Sequence, residues 1–565
     1  MIFHDVLIIG GGLAGLRAAI AAAEKKADVA IVSRLYPVRS HSGQAQGGVN
    51  AALANNPQAA DDTPEKHGFD TIKGSDFLAD QETSIFMTEQ APEIIFEIEH
   101  WGCPFSRTPE GKIAQRPFGG AGYPRTCYGS DRTGHYMLQT LYEQTVKHNV
   151  KVYNEWTVIG LAKDGESCCG VVALDMHSGE LQAIGANAVV FATGGSARIY
   201  GNSTNGITST AFGVAMPYWA GVPLKDMEFI QFHPTSLYPS NILMTEGCRG
   251  EGGTLINKDG ERFMTKYAPK AMELGPRDIV ARAITTEILE GRGFEESYVY
   301  LDLTHLGRAK IMERLPGIRE ITLDFIGLDP IEKPIPIQPG THYCMGGIDT
   351  GIDGATMLKG FYAAGECACV SVHGANRLGG NSLLDTLVFG KRAGAKAAEY
   401  VKDKPKQPRT NALERALRKE DDGINQMAKS SGNENPHKIN NELRKLMPDK
   451  AGIFRDEKRL TEGLTQIKTL KERFKKSRPI APGKKFNIDK LWFLEIKGNL
   501  DVAEVVVAGA LARRESRGSH FRNDFPTRDD ANFLKHTVAT YSPEGPKLSY
   551  KGASITKYQP EERKY

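Results

Sequence analysis

The chain has 565 residues, enough for two to four domains around a large buried core. Its 71 basic and 68 acidic side chains nearly cancel, which argues against a nucleic-acid-binding protein with a concentrated basic surface. Eight cysteines occur without the paired spacing of metal ligands, so we expect no metal site, no disulfide scaffold and a reducing compartment.

Targeting and membrane-spanning signals are weak in this sequence. The segment from Met1 to Asp5 has no charged stretch followed by an apolar one, so we expect no signal peptide. The apolar run Val505–Ala512 is too short to cross a bilayer. We therefore expect a chain that is soluble by itself and that reaches a membrane only through a partner.

The N-terminal segment has the pattern strand, glycine turn, helix, strand. An apolar run at Val6–Ile9 precedes Gly10-Gly11-Gly12-Leu13-Ala14-Gly15, and a helix is predicted from Leu16 to about Lys25, followed by a strand at 28–32. In that context the first glycine permits the turn, the third lets the backbone approach a pyrophosphate, and the last lets the helix pack on the sheet. The helix N-terminus adds amide donors, so the segment predicts dinucleotide binding.

The residues after the second strand indicate which dinucleotide binds. Ser33 and Arg34 stand where NAD enzymes usually place an acidic ribose ligand, which argues against NAD. His41 follows shortly, inside a run of small and polar residues from Arg39 to Gly48. A single loop histidine is usually only polar surface, but here it would lie beside the redox ring of a bound dinucleotide.

Two later segments resemble parts of FAD-binding folds. The strand 188–191 leads into Thr193-Gly194-Gly195, which resembles the segment that returns to the nucleotide, and Gly360–Glu366 resembles the late strand before the flavin-facing helix. We therefore predict an α/β fold with a discontinuous Rossmann-like FAD-binding domain, an inserted α+β capping domain, a helical domain and a small C-terminal domain. Their predicted ranges are 1–225 with 340–400, 226–339, 401–505 and 506–565.

The character of the chain changes from about Lys402 onward. Charged, helix-forming stretches predict a helical bundle, with helices at Asn411–Lys419, Asn440–Leu446 and Thr461–Lys476 and a polar loop at Ser430–Pro436. The segment Arg513–Asp530 is dense in charge and precedes a short end that we expect to be rich in strands.

Four motifs combine a cationic or hydrogen-bonding side chain with glycines that permit close approach of a ligand. They are Gln231–Thr235 with Thr245–Gly253, Pro276–Arg282, His342–Gly347, and His373–Leu384. Two arginines and two histidines among them suit a small dianion, because guanidinium binds carboxylate through two parallel hydrogen bonds. Taken singly, such residues are usually ion-paired or structural, and their spacing leaves open whether they converge.

In order along the chain, these motifs resemble those of the succinate dehydrogenase and fumarate reductase flavoprotein subunit. The resemblance runs from about residue 4 to residue 400 and resumes at Arg514–Pro526, so it covers nearly the whole chain. Its specific part is the combination of His41, His233, Arg277, His342 and Arg377. L-aspartate oxidases and soluble fumarate reductases share much of the frame, but aspartate oxidases typically lack a histidine at the position of His41.

The resemblance implies a covalently bound FAD. His41 would carry the cofactor through an 8α bond, which raises the flavin potential so that the flavin accepts a hydride from succinate. Many family members have an aspartate where this chain has Phe212, so we do not count that loop among the cofactor contacts. The residues expected to bind FAD are Gly10, Gly11, Gly12, Leu13, Ala14, Gly15, Ser33, Arg34, Ser40, His41, Ser42, Gly47, Gly48, Glu366, Ser382 and Leu383.

The resemblance also implies roles around the substrate. The expected carboxylate ligands are His233, Thr245, His342 and Arg377, with Phe118 close to the substrate. Arg277 would transfer the proton. Because the pKa of a free arginine is above 12, Arg277 needs an electropositive pocket and a carboxylate relay, for which Glu246 and Arg249 match the family positions.

The implied protein is the catalytic subunit of a succinate:quinone or fumarate reductase complex. It would dock an iron–sulfur subunit and, through that partner, a membrane anchor at the cytoplasmic face of the cell membrane. The alternatives are a soluble fumarate reductase with a non-quinone donor, an L-aspartate oxidase, and a flavin-carrying module without catalysis. Co-purification of an iron–sulfur partner, peroxide formation with aspartate, and bleaching of the flavin by succinate discriminate among them.

Overall fold

A computed structural model describes residues 2–429 and 432–564, and its largest sheet has seven strands. Six of them lie in the order Lys151–Asn154, Val29–Ser33, Ile2–Ile9, Leu181–Phe191, Ser167–Asp175 and Trp156–Asp164, and Phe361–Ala363 also pairs with Leu181–Phe191. Ser167–Asp175 pairs antiparallel with both of its neighbours, Leu181–Phe191 and Trp156–Asp164. All the other pairs in this sheet are parallel. The apolar run Val6–Ile9 lies at the buried centre, as expected for a parallel strand that is covered on both faces.

Helices cover this sheet, and the one after the first strand begins earlier than predicted. It spans Leu13–Glu24 rather than Leu16 to Lys25, because Gly12 already serves as its N-cap and Gly15 packs inside its first turn. The helix Asn381–Val401 lies against it, at a distance so short that a side chain at Gly394 would overlap the carbonyl oxygen of Ala18. The other helices of this region are Pro64–Gly74, Gln81–His100, Thr133–Lys147 and Phe212–Trp219, and a small sheet joins Val49–Asn50, Gln115–Arg116 and Thr126–Cys127.

A second unit is inserted between the two parts of the first. Its antiparallel sheet has the order Ile230–Leu237, Ile335–Cys344, Val299–Asp302 and Thr254–Ile256. Its α-helices are Gly247–Gly250, Met264–Tyr267, Arg277–Glu287, Gly307–Arg314 and Pro316–Ile326. Apolar side chains of the sheet and helices form a separate core, so the insertion is a packed unit of its own.

Four long helices follow, at Thr410–Lys429, Pro436–Lys450, Glu457–Phe474 and Ile488–Ala512. Two of the predicted helices fall inside the first two, which are longer than predicted. The predicted Thr461–Lys476 overlaps the third, which begins four residues earlier and ends two residues earlier. Of the predicted loop Ser430–Pro436, residues 430 and 431 lie outside the described residues, and Pro436 already begins a helix capped by Asn435. The fourth helix runs unbroken through the boundary that we placed after residue 505.

The C-terminal segment joins the first unit rather than standing apart. Strands Lys535–Thr540 and Lys547–Gly552 form a hairpin that extends a five-stranded sheet with Leu224–Lys225, Gly347–Asp349 and Ala368–Cys369. The predicted α/β class with an insertion and a helical C-terminal region is confirmed, whereas the exact domain limits stay predictions. Among the described residues, the helices include none whose length and apolar character suffice to cross a membrane.

Candidate active site

A cavity of about 960 Å³ opens where the parallel strands end. The residues that directly follow strands Ile2–Ile9, Val29–Ser33 and Leu181–Phe191 form part of its lining. Open α/β sheets bind ligands at this edge, where the parallel strands end. All the predicted site residues except Gly15 and Arg249 line this cavity. The structure therefore brings together motifs that are separated by more than 300 residues in the sequence.

The glycine turn forms one end of the cavity. Gly10 has a φ of +114°, and a Cβ atom there would overlap the carbonyl oxygen of Ala192. A Cβ atom at Gly15 would overlap the carbonyl oxygen of Gly10, so the helix can approach the strand only with glycine at this position. The N-terminus of helix Leu13–Glu24 consequently faces the cavity. Backbone N–H groups at a helix N-terminus favour the binding of phosphate oxygens.

A polar loop lines the wall beside this turn. The backbone N–H of Leu13 donates to the hydroxyl of Ser42 over 3.2 Å, which fixes the loop to the helix N-terminus. Gly47 and Gly48 continue the same wall. The hydroxyl oxygens of Ser40 and Thr193 are buried and lack a hydrogen-bond partner within the described residues, so both are available to a bound ligand.

His41 faces the cavity from this loop. The backbone N–H of Gly206 donates to its Nδ1 over 3.2 Å, and the side chain of Gln44 lies 3.1 Å from the same atom. Loss of water around the ring lowers the pKa of His41 to about 4, and the nearby Arg198 cation acts in the same direction. The imidazole is therefore neutral at physiological pH, the form that can act as a nucleophile or hydrogen-bond acceptor.

Glu366, Ser382 and Leu383 lie on the opposite wall. The two last residues belong to the first turn of helix Asn381–Val401. The backbone N–H of Cys344 donates to Glu366 over 3.0 Å, but burial dominates and raises the pKa of this carboxyl to about 7. A buried carboxyl of this kind can donate as well as accept a hydrogen bond, which suits the hydroxyl groups of a sugar or ribityl chain.

Two buried arginines meet at the other end of the cavity. The Nη1 atom of Arg277 and the Nη2 atom of Arg377 both donate to Oε1 of Gln231, over 3.1 and 2.9 Å. No carboxylate among the described residues lies within salt-bridge distance of Arg377, whose guanidinium stacks 4.5 Å from the centre of the Tyr343 ring. Burial and the charge of Arg277 lower the pKa of Arg377 to about 9, so this cation lacks a counter-charge that an anionic ligand would supply.

Two neutral histidines stand next to the arginines. The rings of His233 and His342 are 4.9 Å apart. The backbone of Thr235 lies 3.0–3.2 Å from Nδ1 of His233, and the hydroxyl of Thr204 lies 2.8 Å from Nδ1 of His342, so both rings have fixed orientations. Burial, reinforced by nearby positive charge, holds both pKa values well below the ordinary range. Neutral imidazoles can donate to carboxylate oxygens without titrating.

Glu246 connects Arg277 to a second buried arginine. The Nε atom of Arg277 donates to Oε2 of Glu246 over 2.6 Å, and Arg249 lies 3.8 Å from the same oxygen. Burial by itself would raise the pKa of Glu246, but the two cations outweigh it and the net pKa is lowered. Arg249 does not line the cavity, so it contacts Glu246 and not a ligand there. Its relay role stays a prediction.

Phe118 and Thr245 narrow the cavity between its two ends. A Cβ atom at Gly47 would lie 2.6 Å from the Phe118 ring and 3.5 Å from the Thr245 hydroxyl. The hydroxyl of Thr245 accepts from the backbone N–H of Gly247 over 3.1 Å, so it is held at the start of the short helix Gly247–Gly250.

Several residues in or next to the cavity escaped the sequence analysis. Gln231 belongs to a motif that we singled out, but nothing in its spacing showed that one oxygen would join both arginines. Phe212, which we excluded as a cofactor contact, does line the cavity. The remaining unpredicted contacts come from distant segments without a recognisable motif, and they include Trp156, Thr157, Val158, Arg198, Thr204, Asn205 and Glu495.

The cavity fits a flavin dinucleotide together with a small anion. The glycine turn and helix N-terminus suit a pyrophosphate, the unpartnered hydroxyls of Ser40 and Thr193 suit polar groups along the cofactor, and the arginines mark an anion site at the far end. The residues suited to the dinucleotide and those suited to the anion line the same cavity.

Comparison with known proteins agrees with this geometry. Residues 5–383 match the family described as FAD binding domain, and residues 440–565 match the family described as fumarate reductase flavoprotein C-term. The chain is 44% identical to a succinate dehydrogenase flavoprotein subunit of Rickettsia bellii, over 98% of this chain and 95% of that protein. It is 42% identical to a fumarate reductase flavoprotein subunit of Mycobacterium tuberculosis, over 100% and 99% of the two chains.

Solved structures show the same relationship. An E. coli quinol fumarate reductase chain superimposes with a TM-score of 0.95 at 40% identity and covers 100% of this chain and 99% of its own. An adenylylsulfate reductase of Archaeoglobus fulgidus shares the fold alone, with a TM-score of 0.79 at 18% identity. Fold and site thus define a flavoprotein oxidoreductase with an FAD-binding domain. The chain belongs to the family of succinate dehydrogenase and fumarate reductase flavoprotein subunits, which confirms the resemblance found in its sequence.

Proposed function

We propose that this chain is the catalytic flavoprotein subunit of an enzyme that interconverts succinate and fumarate. The observation that carries the proposal is the uncompensated Arg377 cation, which lies beside Arg277 and two neutral histidines in the cavity that contains the FAD cradle. Three buried arginines, Arg249, Arg277 and Arg377, lie around a single carboxylate, Glu246, so three positive charges and one negative charge leave the cluster at +2. A dicarboxylate balances this charge, and a monoanion does not.

Each end of the dicarboxylate has its own donors in this proposal. Arg377 and His342 bind one carboxylate, and His233 and the hydroxyl of Thr245 bind the other. Phe118 would exclude water from the reacting carbons, because its apolar ring lines the same cavity and packs against Gly47. Hydrogen bonds between a buried guanidinium and a carboxylate contribute about 1.5–3 kcal/mol each, so Arg377 is the main anchor.

Arg277 moves the proton. When bound, FAD supplies the two-electron acceptor that takes a hydride from one succinate methylene. Arg277 accepts the proton that the other methylene loses, after it has passed one of its own to Glu246 over the 2.6 Å contact. Arg249 keeps Glu246 ionised and connects it to the interior behind the cavity. Fumarate reduction runs through the same groups in reverse.

His41 is proposed to hold FAD covalently. Its neutral ring and its position on the cavity wall support this role. Denaturing gel electrophoresis with in-gel flavin fluorescence tests it directly. We expect a fluorescent band for the unmodified chain and none for His41→Ala, and a dark band for the unmodified chain would refute the covalent bond.

The electrons are proposed to leave through an iron–sulfur subunit to a quinone pool. Structural relatives of this chain include proteins named quinol fumarate reductase, which supports such an assembly. We place the complex at the cytoplasmic face of the cell membrane, with this chain attached through the partner and its membrane anchor. Purification of the native complex tests this, since we expect an iron–sulfur polypeptide to co-purify and its absence would favour a soluble fumarate reductase.

Dye-linked assays test the reaction itself. The purified protein should reduce an artificial electron acceptor with succinate and oxidise reduced viologen with fumarate. It should form no hydrogen peroxide with L-aspartate. Activity with aspartate and none with succinate would replace the proposal with an aspartate oxidase.

A further inference from the structure

A carboxylate from the C-terminal helical region reaches the cofactor cradle. Glu495 lies in the second turn of helix Ile488–Ala512, is 4% exposed and lines the cavity. Its Oε1 atom accepts a hydrogen bond from Nη1 of Arg34, and the hydroxyl of Thr210 also bonds to the carboxyl group. Nothing in the proposed chemistry at the Arg277 end uses this residue.

Glu495 lies where the dinucleotide site lacks the acidic residue that is common at the end of the second strand. Dinucleotide folds commonly place an acidic residue at the end of the second strand, where it accepts hydrogen bonds from the adenosine ribose. In this chain the strand Val29–Ser33 ends without one, because Ser33 and Arg34 stand there. The loop before helix Phe212–Trp219 supplies none either, since residues 207–212 include no acidic side chain.

Packing between helix Ile488–Ala512 and the loop before Phe212 fixes the position of Glu495. The helix Ile488–Ala512 approaches Phe212 so closely that a Cβ atom at Gly498 would lie 3.1 Å from the Cα of Phe212. The backbone N–H of Ala211 donates to the side chain of Asn499 over 3.0 Å, one turn beyond Glu495. The helix is thereby held against the loop, with Glu495 directed to the end of the second strand.

We propose that Glu495 binds the adenosine ribose of FAD, as the acceptor of hydrogen bonds from its hydroxyl groups, with Arg34 holding the carboxylate in place. The inference rests on the proposed function only in taking the bound dinucleotide to be FAD. It makes the C-terminal helical region part of the cofactor site, so that FAD joins two regions of the chain.

The environment of Glu495 supports this role. Burial raises its pKa to about 7 despite the neighbouring Arg34 cation. A carboxylate that has lost water gains from each additional donor, and ribose hydroxyls are donors of suitable size and polarity. Arg34 is 21% exposed, and among the described residues it forms an ion pair with this carboxylate and with no other, so the pair stands apart from larger ion networks.

Binding measurements on the full chain test the proposal. The His41→Ala variant, freed of flavin, allows the affinity for FAD and for FMN to be titrated by fluorescence without covalent attachment. We expect Glu495→Gln in this background to weaken FAD binding about tenfold and to leave FMN binding unchanged, because FMN lacks the adenosine. The matched control is Glu504→Gln, which removes another buried carboxylate from the same helix, paired with Lys471 2.6 Å away, and should change neither affinity.

A second comparison changes the ligand and keeps the protein the same. The His41→Ala protein should bind ADP about tenfold more tightly than 2′-deoxy-ADP, and Glu495→Gln should abolish that difference. Unchanged FAD affinity in Glu495→Gln, an equal loss for FAD and FMN, or a preserved preference for ADP would each overturn the inference. Failure of the proposed function would look different, because succinate would then not reduce the bound flavin, whereas the difference in FAD affinity between Glu495→Gln and its parent would remain.

Discussion

Replacement of Arg277 by alanine should separate catalysis from cofactor binding. Arg277 is 6% exposed, donates to Glu246 and Gln231, and lies at the substrate end of the cavity. Its contacts do not include the glycine turn or the walls around His41 and Glu366. We therefore expect Arg277→Ala to retain FAD and to lose turnover.

The loss of turnover and the loss of folding stability can both be given a magnitude. General acid–base groups contribute about 10²–10⁴ in rate, and loss of a cation beside the substrate adds to this, so we expect turnover to fall by at least about 10³. That factor corresponds to about 4 kcal/mol in the activation free energy. The variant also leaves Glu246 buried with Arg249, 3.8 Å away, as its remaining counter-charge. The loss of folding stability should therefore stay below the about 3–5 kcal/mol of a buried charge left without any partner.

Stopped-flow measurement of flavin reduction by succinate is the assay, with the FAD-to-protein ratio measured on the same samples. The control is Arg282→Ala, which removes a cation from the next turn of the same helix. Arg282 pairs with Asp278 and donates to the carbonyl of Gly518, so its loss should leave flavin reduction within about threefold of the parent rate. Turnover of Arg277→Ala close to that of the unmodified chain would refute its role in proton transfer.

Three further substitutions test the electrostatics and the cradle. Burial alone would lower the pKa of His536, but Asp226 and Asp80 raise it to about 9, so the histidine stabilises the fold fully below about pH 6.5 and loses that effect as the pH rises through 9. His536→Gln should therefore cost about 3 kcal/mol at pH 6 in urea unfolding, progressively less between pH 6.5 and pH 9, and little above pH 9; a pH-independent loss would contradict this. Burial raises the pKa of Glu366 from 4.5 to about 7, so its ionisation destabilises the FAD-free fold as the pH rises through that interval. Glu366→Gln should accordingly stabilise the FAD-free chain by up to about 3 kcal/mol at pH 8 and hardly at pH 4.5; an equal effect at both pH values would count against the assignment. Gly15→Ala would place a methyl group on the carbonyl oxygen of Gly10, so we expect purified Gly15→Ala to contain little or no FAD, and a normal FAD-to-protein ratio would show that the turn tolerates a side chain.

The N-terminal fold was predictable because its signals are local. The apolar run Val6–Ile9, the glycine turn and the following helix lie within about 25 consecutive residues, and only the start of the helix was wrong, by three residues. Helix propensity predicts where a helix forms, but its ends depend on which positions the neighbouring elements bury. This is why Thr410–Lys429 is more than twice as long as the predicted Asn411–Lys419.

The helix Ile488–Ala512 was not predicted, and its composition explains why. Most of its positions are buried on all sides, including the charged residues Glu495, Asp501 and Glu504. A helix that lacks one polar face gives little 3.6-residue periodicity, which is the main sequence signal for helices. Glu495 could be recognised as part of the cavity only after the structure had placed this helix beside the second strand.

The substrate end shows a similar limit. The motifs identified the residue types, but their convergence depends on the insertion. It carries His233, Thr245, Arg277 and His342 to the cavity that Arg377 also lines from outside the insertion. Long-range placement of this kind has no local sequence signal. The shared oxygen of Gln231 is an example, because it relates two arginines that are 100 residues apart.

The most direct test of the central claim is the absorbance of the bound flavin under anaerobic conditions. Addition of succinate to the purified protein should bleach the flavin band, and fumarate should restore it. In Arg377→Gln, which removes the cation that lacks a counter-charge, the same succinate concentration should leave the band largely unchanged while dithionite still bleaches it. A flavin that dithionite reduces but that succinate does not reduce in the unmodified protein would contradict the account.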